Sequence, residues 1–452
     1  MKLTFLGGAG TVTGSKILLE TKYKKILIDC GLFQGVKELR LKNREAIPFD
    51  LSKLDVVLLT HAHLDHSGYI PVLVKSGYKG KIYCTEATKD LTEIILLDSG
   101  KIQEEDARRA NKYGYTKHTP AKPLYNVDDA KVAINQFETF EQNKWHLIDD
   151  GIKFKFLNSG HILGSVFVVL SVDEKIIVFS GDIGRKDPIL MYQYEYIEKA
   201  DYLVIESTYG NRIHKMTDIS EMLLHYIKKT YEKGGILIIP TFSVERAQEI
   251  IYLLSILKRT NQLPQIPIYL DSPMGVNATE VYFNHKNNHK LKGDDIINML
   301  STVQLISNIS ASKAIVNSIN PKIVLAGSGM INGGRVLHYL DKCIADKKNS
   351  VLIVGYQAEG TLGRALISGD SEIKFFGKYH KINAEIFKIN AFSGHADQNE
   401  LLDWLSHFNP SPKLTFINHG EPHQSQALKT KIKTDLQWKC TIAKLNNVYH
   451  LD

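Results

Sequence analysis

The chain has 452 residues, which is too long for one ordinary hydrophobic core and predicts two domains or one domain with a large insertion. Apolar residues make up 43% and charged residues 23% of it, as in folded globular proteins, and a net charge of +7 is too small to indicate nucleic-acid binding by itself. No apolar run reaches the ~18 residues of a membrane span, so we expect no membrane association and, by default, a cytoplasmic location.

The four cysteines are scattered and form no C-x-x-C pair. This spacing argues against both a disulfide framework and a thiolate zinc site. Any metal ion would therefore have to be held by histidine and carboxylate side chains.

The first half of the chain reads as short strands and two helices. The runs KLTFLG, SKILLE, KKILIDCG and LDVVLLTHAH are separated by turn residues and predict a β-meander that leads into a strand whose end carries the histidines. A helical region follows at 87–114, and the amphipathic segment 126–140 predicts a second helix that begins at Asp128 and Asp129. Four more strand-like runs lie between residues 152 and 210.

Beyond residue 207 the pattern changes to buried strands that alternate with helices, which predicts a parallel α/β sheet. Examples are GGILIIPTF before SVERAQEIIYLLSILK, and the runs KIVLAGSGM and SVLIVGYQAEG, which end in glycine-rich loops. Histidine-rich loops lie on both sides of this unit. We therefore expect one domain that is interrupted by an inserted second domain.

The segment LLTHAHLDHSGYIP concentrates His61, His63, Asp65 and His66 just after an apolar run. Side chains at i and i+2 of an extended segment point the same way, so His61 and His63 can bind one ion while Asp65 and His66 turn toward a second. Imidazole and carboxylate ligands without thiolate favour a catalytic site for zinc, manganese or iron. A histidine-rich surface loop is the alternative, but this density of ligands directly after a strand favours the metal site.

Three later loops supply matching groups after strand-like runs. They are His161 in NSGHILGS, Asp182 in FSGDIG and His419 in FINHGEPH. Each is weak evidence alone, because an aspartate before glycine at a strand end is usually a turn residue. Together with the first cluster, His161 and Asp182 complete a set of about five or six ligands, and His419 adds to it.

These motifs resemble the metallo-β-lactamase family and, within it, the β-CASP branch. The resemblance to the fold is carried by THAHLDHSG together with Asp29, His161 and Asp182. IESTYGNR with Glu206, AFSGHAD with His395 and FINHGE with His419 resemble the three further motifs of the branch. IPTFSVERAQE, GSGMINGGR and VGYQAEGTLGR resemble its insert. The similarity is greatest with stand-alone prokaryotic ribonucleases of the branch, without the KH extension or the C-terminal domain of RNase J.

The resemblance implies an α/β protein: a four-layer αββα sandwich with an inserted parallel α/β β-CASP domain. We expect the sandwich at 1–206 and 375–452, and the insert at 207–374. Two Zn²⁺ ions are implied, and Mn²⁺ accepts the same ligands. By the resemblance, one ion is held by His61, His63 and His161, and the other by Asp65, His66 and His419, with Asp182 bridging them and Asp29 orienting a ligand histidine.

A ribonuclease mechanism is implied as well. Two divalent ions would activate a water for in-line attack on phosphorus. Asp65 and Asp182 would take part in catalysis as ligands of these ions. His395 is the candidate acid that protonates the leaving 3′-oxygen, held by Glu206. The products would carry a 5′-phosphate and a 3′-hydroxyl. A role for His395 at the start of a helix is the alternative.

The glycine-rich loops give weaker indications. Ser328, Gly329, Gln357 and Arg364 stand where strands end and helices begin, and they could contact phosphates or cap helices. Phe242 could stack a base, but its position after ILIIP favours a core phenylalanine.

Several functions remain open at this stage. The expected partner is single-stranded RNA, cut internally or from the 5′ end, and a homodimer is a candidate assembly. A DNA nuclease of the same branch is a second hypothesis, although His419 stands where the DNA-acting relatives have valine. A small-molecule hydrolase would not need the insert, and an inactive scaffold subunit would not retain all of the ligands.

Overall fold

The computed structural model describes residues 1–114, 118–214, 218–355, 357, 360–389 and 392–452. The chain divides into two compact units, of which unit 1 comprises Met1–Ile213 and Gly394–Asp452 and unit 2 comprises His214–Ser393. The domain limits 1–206, 207–374 and 375–452 stay a prediction. Within the described ranges, no helix is both long enough and apolar enough to cross a membrane.

Unit 1 begins with a region of short strands and helices. Its strands are Lys2–Phe5 (β1), Ile17–Glu20 (β2), Lys25–Ile28 (β3), Val56–Leu58 (β4), Lys81–Cys84 (β5), Phe137–Thr139 (β6), Trp145–Asp149 (β7), Ile152–Asn158 (β8), Val166–Val172 (β9), Lys175–Phe179 (β10) and Tyr202–Ile205 (β11). Its helices are Lys37–Lys42 (α1), Leu64–Ser67 (α2), Ile70–Lys75 (α3), Glu86–Tyr113 (α4) and Val127–Ile134 (α5).

Unit 2 alternates helices with strands, and the chain then returns to unit 1. The elements of unit 2 are Ile219–Glu232 (α6), Ile236–Pro240 (β12), Arg246–Arg259 (α7), Ile268–Asp271 (β13), Pro273–Asn284 (α8), Gly293–Thr302 (α9), Gln304–Ile306 (β14), Ile309–Asn317 (α10), Lys322–Ala326 (β15), Val336–Cys343 (α11), Ser350–Ile353 (β16), Leu362–Ser368 (α12), Glu372–Phe375 (β17), Lys378–Lys381 (β18) and Glu385–Lys388 (β19). The return to unit 1 adds Gln398–Leu405 (α13), Leu414–Ile417 (β20), Pro422–Lys431 (α14), Cys440–Ile442 (β21) and Val448–His450 (β22).

Two mixed sheets form the centre of unit 1. Among the described residues, their strand orders are β22-β1-β2-β3-β4-β5-β6 and β21-β20-β11-β10-β9-β8-β7. Strands β1, β2 and β3 form the predicted antiparallel meander. The fourth run forms β4, the strand whose end carries the histidines, and it lies parallel to β3. The long segment between them, which contains α1, provides the crossover that a parallel pair requires.

The hydrophobic core of unit 1 has three layers of contacts. Phe5, Phe154, Phe156 and Phe416 are among the side chains buried between the two sheets. A second cluster packs helices α3, α4 and α5 on the outer face of the first sheet, and a third packs α13 and α14 on the outer face of the second. Unit 1 is therefore a four-layer αββα sandwich, as predicted.

The predicted helix at 126–140 is only half correct. Its start is well defined, because Asn126 and Asp129 form a reciprocal capping box, but the helix ends at Ile134. Residues Phe137–Thr139 instead form β6, which pairs in parallel with β5 and extends the first sheet. Pairing with a distant strand thus overrides the helical period of the last six residues.

Unit 2 contains the predicted parallel sheet. Its order in the described chain is β14-β13-β15-β12-β16-β19, with every neighbouring pair parallel. Ile238, Val324 and Ile353 on its central strands pack with Tyr339 and Leu340 of α11. The carboxyl ends of β12, β15 and β16 consequently lie at one edge.

Close backbone contact joins the segment after β3 to helix α2. Cys30 N–H donates to the carbonyl of His66, and Ser15 N–H donates to the carbonyl of Asp65. A Cβ atom on Gly31 would lie 1.6 Å from the carbonyl oxygen of Asp65, so only glycine fits here.

We predict that Gly31→Ala lowers the stability of the metal-free protein by at least ~1–3 kcal/mol, because the new methyl group must displace backbone rather than a side chain. The measurement is the thermal unfolding midpoint. Gly293→Ala is the matched control, because a Cβ there meets nothing within 4 Å. Equal midpoints for the two variants would contradict the prediction.

Candidate metal centre

Strand direction explains why residues distant in sequence meet at one edge of unit 1. Strands β8, β10, β11 and β20 run in the same direction, so the loops after them emerge together. These loops carry His161, Asp182, Glu206 and His419, respectively. In the first sheet, parallel β3 and β4 bring Asp29 beside the histidine-rich loop and α2.

The first cluster contains three histidines and one carboxylate oxygen. His63 Nδ1 lies 3.2 Å from Nε2 of both His61 and His161. Asp182 Oδ2 lies 3.4 Å from His61 Nε2 and 3.5 Å from His161 Nε2. These four residues can present one ligand atom each to a common point.

The second cluster uses the other oxygen of the same carboxylate. Asp182 Oδ1 lies 3.3 Å from both His66 Nε2 and His419 Nδ1. His66 Nε2 and His419 Nε2 are 3.1 Å apart, and Asp65 Oδ2 lies 3.7 Å from His419 Nε2. The structure therefore brings together all seven predicted ligands, with Asp182 between two groups of three.

Hydrogen bonds behind the clusters fix which nitrogen each ring presents. His66 Nδ1 donates to Asp29 Oδ2 at 2.7 Å, and His161 Nδ1 donates to the carbonyl of Gly394 at 2.9 Å. The Thr60 hydroxyl donates to Asp29 Oδ1 and lies 3.0 Å from His61 Nδ1. Because Nδ1 of His61, His66 and His161 is engaged in this way, Nε2 of each of these three rings can offer its lone pair to a metal ion.

Sequence reasoning missed two positions that contact the candidate ligand rings, Thr60 and Gly394. Thr60 directly precedes His61, so its place in THAH is the signal that could have identified it. The carbonyl of Gly394 carries no such signal, because every residue has a backbone carbonyl.

Electrostatics favour metal binding by these rings. Burial lowers the pKa of His63 to about 4 and that of His161 to about 3, so both rings are neutral near pH 7. Burial opposes the ionisation of Asp182, but the surrounding imidazoles, His66 foremost, hold its pKa well below the usual range. Burial opposes the charging of His66, but Asp182 and then Asp29 raise its pKa well above the usual range. The metal-free centre thus combines the neutral rings of His63 and His161 with a charged pair of His66 and Asp182, and a metal ion at His66 would displace the proton of that ring.

The donor set fits divalent metal ions. Two ligands on one tetrahedral zinc ion lie roughly 3.3 Å apart, close to the 3.2 Å that separates His63 Nδ1 from Nε2 of His61 and of His161. Asp182 Oδ1 is buried and accepts no hydrogen bond from the described residues, although two imidazole nitrogens face it. A cation between these atoms would satisfy all three.

His395 lies beside the first cluster, with its ring centroid 4.5 Å from that of His161. Its Nδ1 is 3.2 Å from Glu206 Oε1 and 3.9 Å from Asp182 Oδ2. Burial opposes its charging, but Glu206 and then Asp182 outweigh burial and raise its pKa to about 9. Glu206 is fixed in turn by the backbone N–H groups of Ile183 and Thr208. Glu206 can therefore hold a proton on the partly exposed imidazole of His395.

The four predicted phosphate contacts all lie in unit 2. Gln357 is buried and donates through Nε2 to the carbonyl of Gly329 at 3.0 Å, which holds the loop after β15. Ser328 accepts from Asn332 N–H, and Arg364 is an exposed residue of α12. Residues 356, 358 and 359 of the VGYQAEGTLGR motif, and 390 and 391 before His395, lie outside the described residues.

Comparison with known proteins agrees with this architecture. Residues 10–198 match the metallo-beta-lactamase superfamily, 247–366 a Beta-Casp domain, and 379–443 a Zn-dependent metallo-hydrolase RNA specificity domain. The chain is 36% identical to Ribonuclease TTHA0252 of Thermus thermophilus over 95% of each protein. It is 35% identical to an RNase J-like protein of Methanocaldococcus jannaschii, covering 94% of this chain and 93% of that protein.

One further relative and one solved structure with a similar fold differ more from this chain. Transcription termination factor FttA of Methanosarcina mazei is 32% identical, covering 93% of this chain and 67% of that protein. A crystal structure of a protein of unknown function from Enterococcus faecalis V583 superposes with a TM-score of 0.55 at 12% identity, over 100% of this chain and 99% of that one.

Fold and family matches together define a metallo-hydrolase, and these families imply a divalent metal ion, for which the donor set described above is the candidate site. The chain belongs to the metallo-β-lactamase superfamily, in the branch that carries an inserted Beta-Casp domain. The resemblance inferred from the sequence motifs is confirmed.

We predict that Asp29→Asn weakens zinc binding by about 10- to 100-fold, because it removes the charge that orients and polarises His66. The measurement is zinc affinity by competition with a chromophoric chelator. Asp55→Asn is the control, because Asp55 pairs with Lys24 at the surface of the same unit. Unchanged affinity in Asp29→Asn would count against the orienting role.

Proposed function

We propose that this protein is a ribonuclease that hydrolyses phosphodiester bonds of single-stranded RNA and leaves a 5′-phosphate and a 3′-hydroxyl. The observation that carries the proposal is the Asp182 carboxylate, whose two oxygens face two separate groups of metal-ligand side chains. Relatives over nearly the whole chain are named ribonuclease and RNase J-like protein, and the segment 379–443 matches an RNA specificity domain.

Two zinc ions are the proposed cofactors. His61, His63 and His161 would hold one, Asp65, His66 and His419 the other, and Asp182 would bridge them. Bound together, such ions supply water activation and neutralisation of phosphate charge. Asp29 holds the ring of His66, and the Gly394 carbonyl holds the ring of His161, in the orientation that directs Nε2 toward the metal site.

His395 is the proposed general acid. Glu206 raises its pKa and binds Nδ1, so Nε2 is the atom from which a proton reaches the leaving 3′-oxygen. Ser328, Gly329, Gln357 and Arg364 are proposed to border the path of the RNA backbone. Gln357 would act there by holding the loop that contains Gly329, since its amide donates to that loop.

The test of the function is incubation of the zinc-loaded protein with single-stranded RNA labelled at each end. We expect cleavage that a chelator abolishes and that zinc restores. Internal fragments would identify an endonuclease, and released 5′-mononucleotides a 5′-exonuclease. Intact RNA beside cleaved single-stranded DNA, or beside a hydrolysed thioester, would overturn the proposal in favour of the corresponding alternative.

We predict that His395→Ala slows RNA cleavage by about 10²- to 10⁴-fold, the usual contribution of a general acid, while the zinc content stays constant. A substrate with a p-nitrophenolate leaving group needs no proton, so the variant should recover most of its rate on it. His423→Ala, at an exposed histidine of the same unit, is the control. An equal loss on both substrates would refute the role as acid.

A further inference from the structure

Phe242 is not the core residue that the sequence predicts. Strand β12, directly before it, is buried throughout, yet the Phe242 side chain is 39% exposed. The backbone around it is fixed, because Thr241 N–H donates to the carbonyl of Ala326 and the Phe242 carbonyl accepts from Ala247 N–H. The exposed ring therefore stands on a well-anchored turn.

The ring of Phe242 packs against two glycines from other loops. A Cβ on Gly329 would lie 2.7 Å from Phe242 Cδ2, and a Cβ on Gly355 would lie 3.4 Å from Cε2. The ring thus rests on backbone from the loops after β15 and β16, with one part buried against glycine and another open to solvent. Such a ring loses little conformational entropy when a ligand covers it.

The location is one where ligands bind in open α/β sheets. Strand β12 lies between β15 and β16, and the chain passes from β12 to β13 on one side and from β15 to β16 on the other. Ligands commonly bind outside the carboxyl ends of strands at such a reversal of order.

The neighbouring groups favour a flat, uncharged ligand face over a phosphate. Arg246, the nearest cation along the chain, is buried, pairs with Glu249 and lies over the ring of Phe392. The hydroxyls of Ser243 and Ser272 are buried and contact each other at 3.1 Å. The exposed ring of Phe242 is the kind of group on which nucleobases stack.

We propose that Phe242 is a stacking platform for one nucleobase of single-stranded RNA. The inference rests on the proposed ribonuclease function, and it adds a base-binding residue in unit 2. Because every base has an aromatic face, this contact would bind the strand without selecting a sequence.

The experiment compares Phe242→Ala, Phe242→Leu and Phe242→Trp on RNA that carries a single abasic residue at successive positions. On intact RNA, we expect kcat/KM of Phe242→Ala to fall by roughly 5- to 150-fold and that of Phe242→Trp to be retained. At the RNA position whose base stacks on Phe242, the abasic residue should lower kcat/KM of the wild type by a similar factor. The same abasic RNA should leave kcat/KM of Phe242→Ala unchanged. Phe242→Leu keeps an apolar side chain but has no aromatic ring. A fall of kcat/KM in this variant would therefore be due to lost stacking and not to lost packing.

Phe376→Ala is the matched control, because Phe376 is an exposed phenylalanine of the same unit. Binding of the same RNA set to the metal-free protein gives the comparison without cleavage. Binding through Phe242 without any cleavage would support this inference and overturn the proposed function. If both proteins cleave RNA and kcat/KM depends on the position of the abasic residue in the same way for the wild type and for Phe242→Ala, this inference alone is overturned.

Discussion

Burying a carboxylate costs several kcal/mol unless cations or hydrogen-bond donors face its oxygens. Asp182 is almost completely buried, and each of its oxygens faces two imidazole nitrogens from different loops. The arrangement is stable as an anion among imidazoles, and it is satisfied further by a divalent ion on each side. Three strands that end at this edge deliver partners of Asp182, because the loops after β4, β8 and β20 carry His61, His161 and His419, respectively.

Delivering those partners requires unusual backbone. Asp29 and His419 both adopt positive φ angles, which side chains other than glycine rarely do. Gly184 would place a Cβ 2.0 Å from the carbonyl of Gly160, so the loops that carry Asp182 and His161 touch through their backbones. The sandwich core between the sheets supplies the rigidity that maintains this strain, since large buried side chains such as Phe154 and Phe416 fix the strands behind the loops.

The sequence predicts the parts of this structure that are encoded locally. Ligand types cluster in THAHLDH, the capping residues of α5 mark its start, and strand–loop–helix alternation marks the parallel sheet. It fails where a distant segment decides the outcome. The last residues of the 126–140 segment become strand β6 because β5 is available to pair with them. Phe242 packs on glycines 87 and 113 residues further along the chain and remains partly exposed. The carbonyl that orients His161 comes from Gly394, a residue type without a chemical signature.

The adjacent rings of His161 and His395 show how surroundings assign different chemistry to one residue type. Their centroids are 4.5 Å apart, and a charge on one disfavours a charge on the other. His161 donates to a neutral carbonyl and is fully enclosed, so burial lowers its pKa to about 3 and leaves a lone pair for a metal ion. His395 faces the carboxylate of Glu206, which helps raise its pKa to about 9 and keeps a proton on the ring. Pairs of titratable groups driven apart in this way divide the roles of a reaction between them. Here the division depends on Glu206, because without its charge the two imidazoles would differ far less.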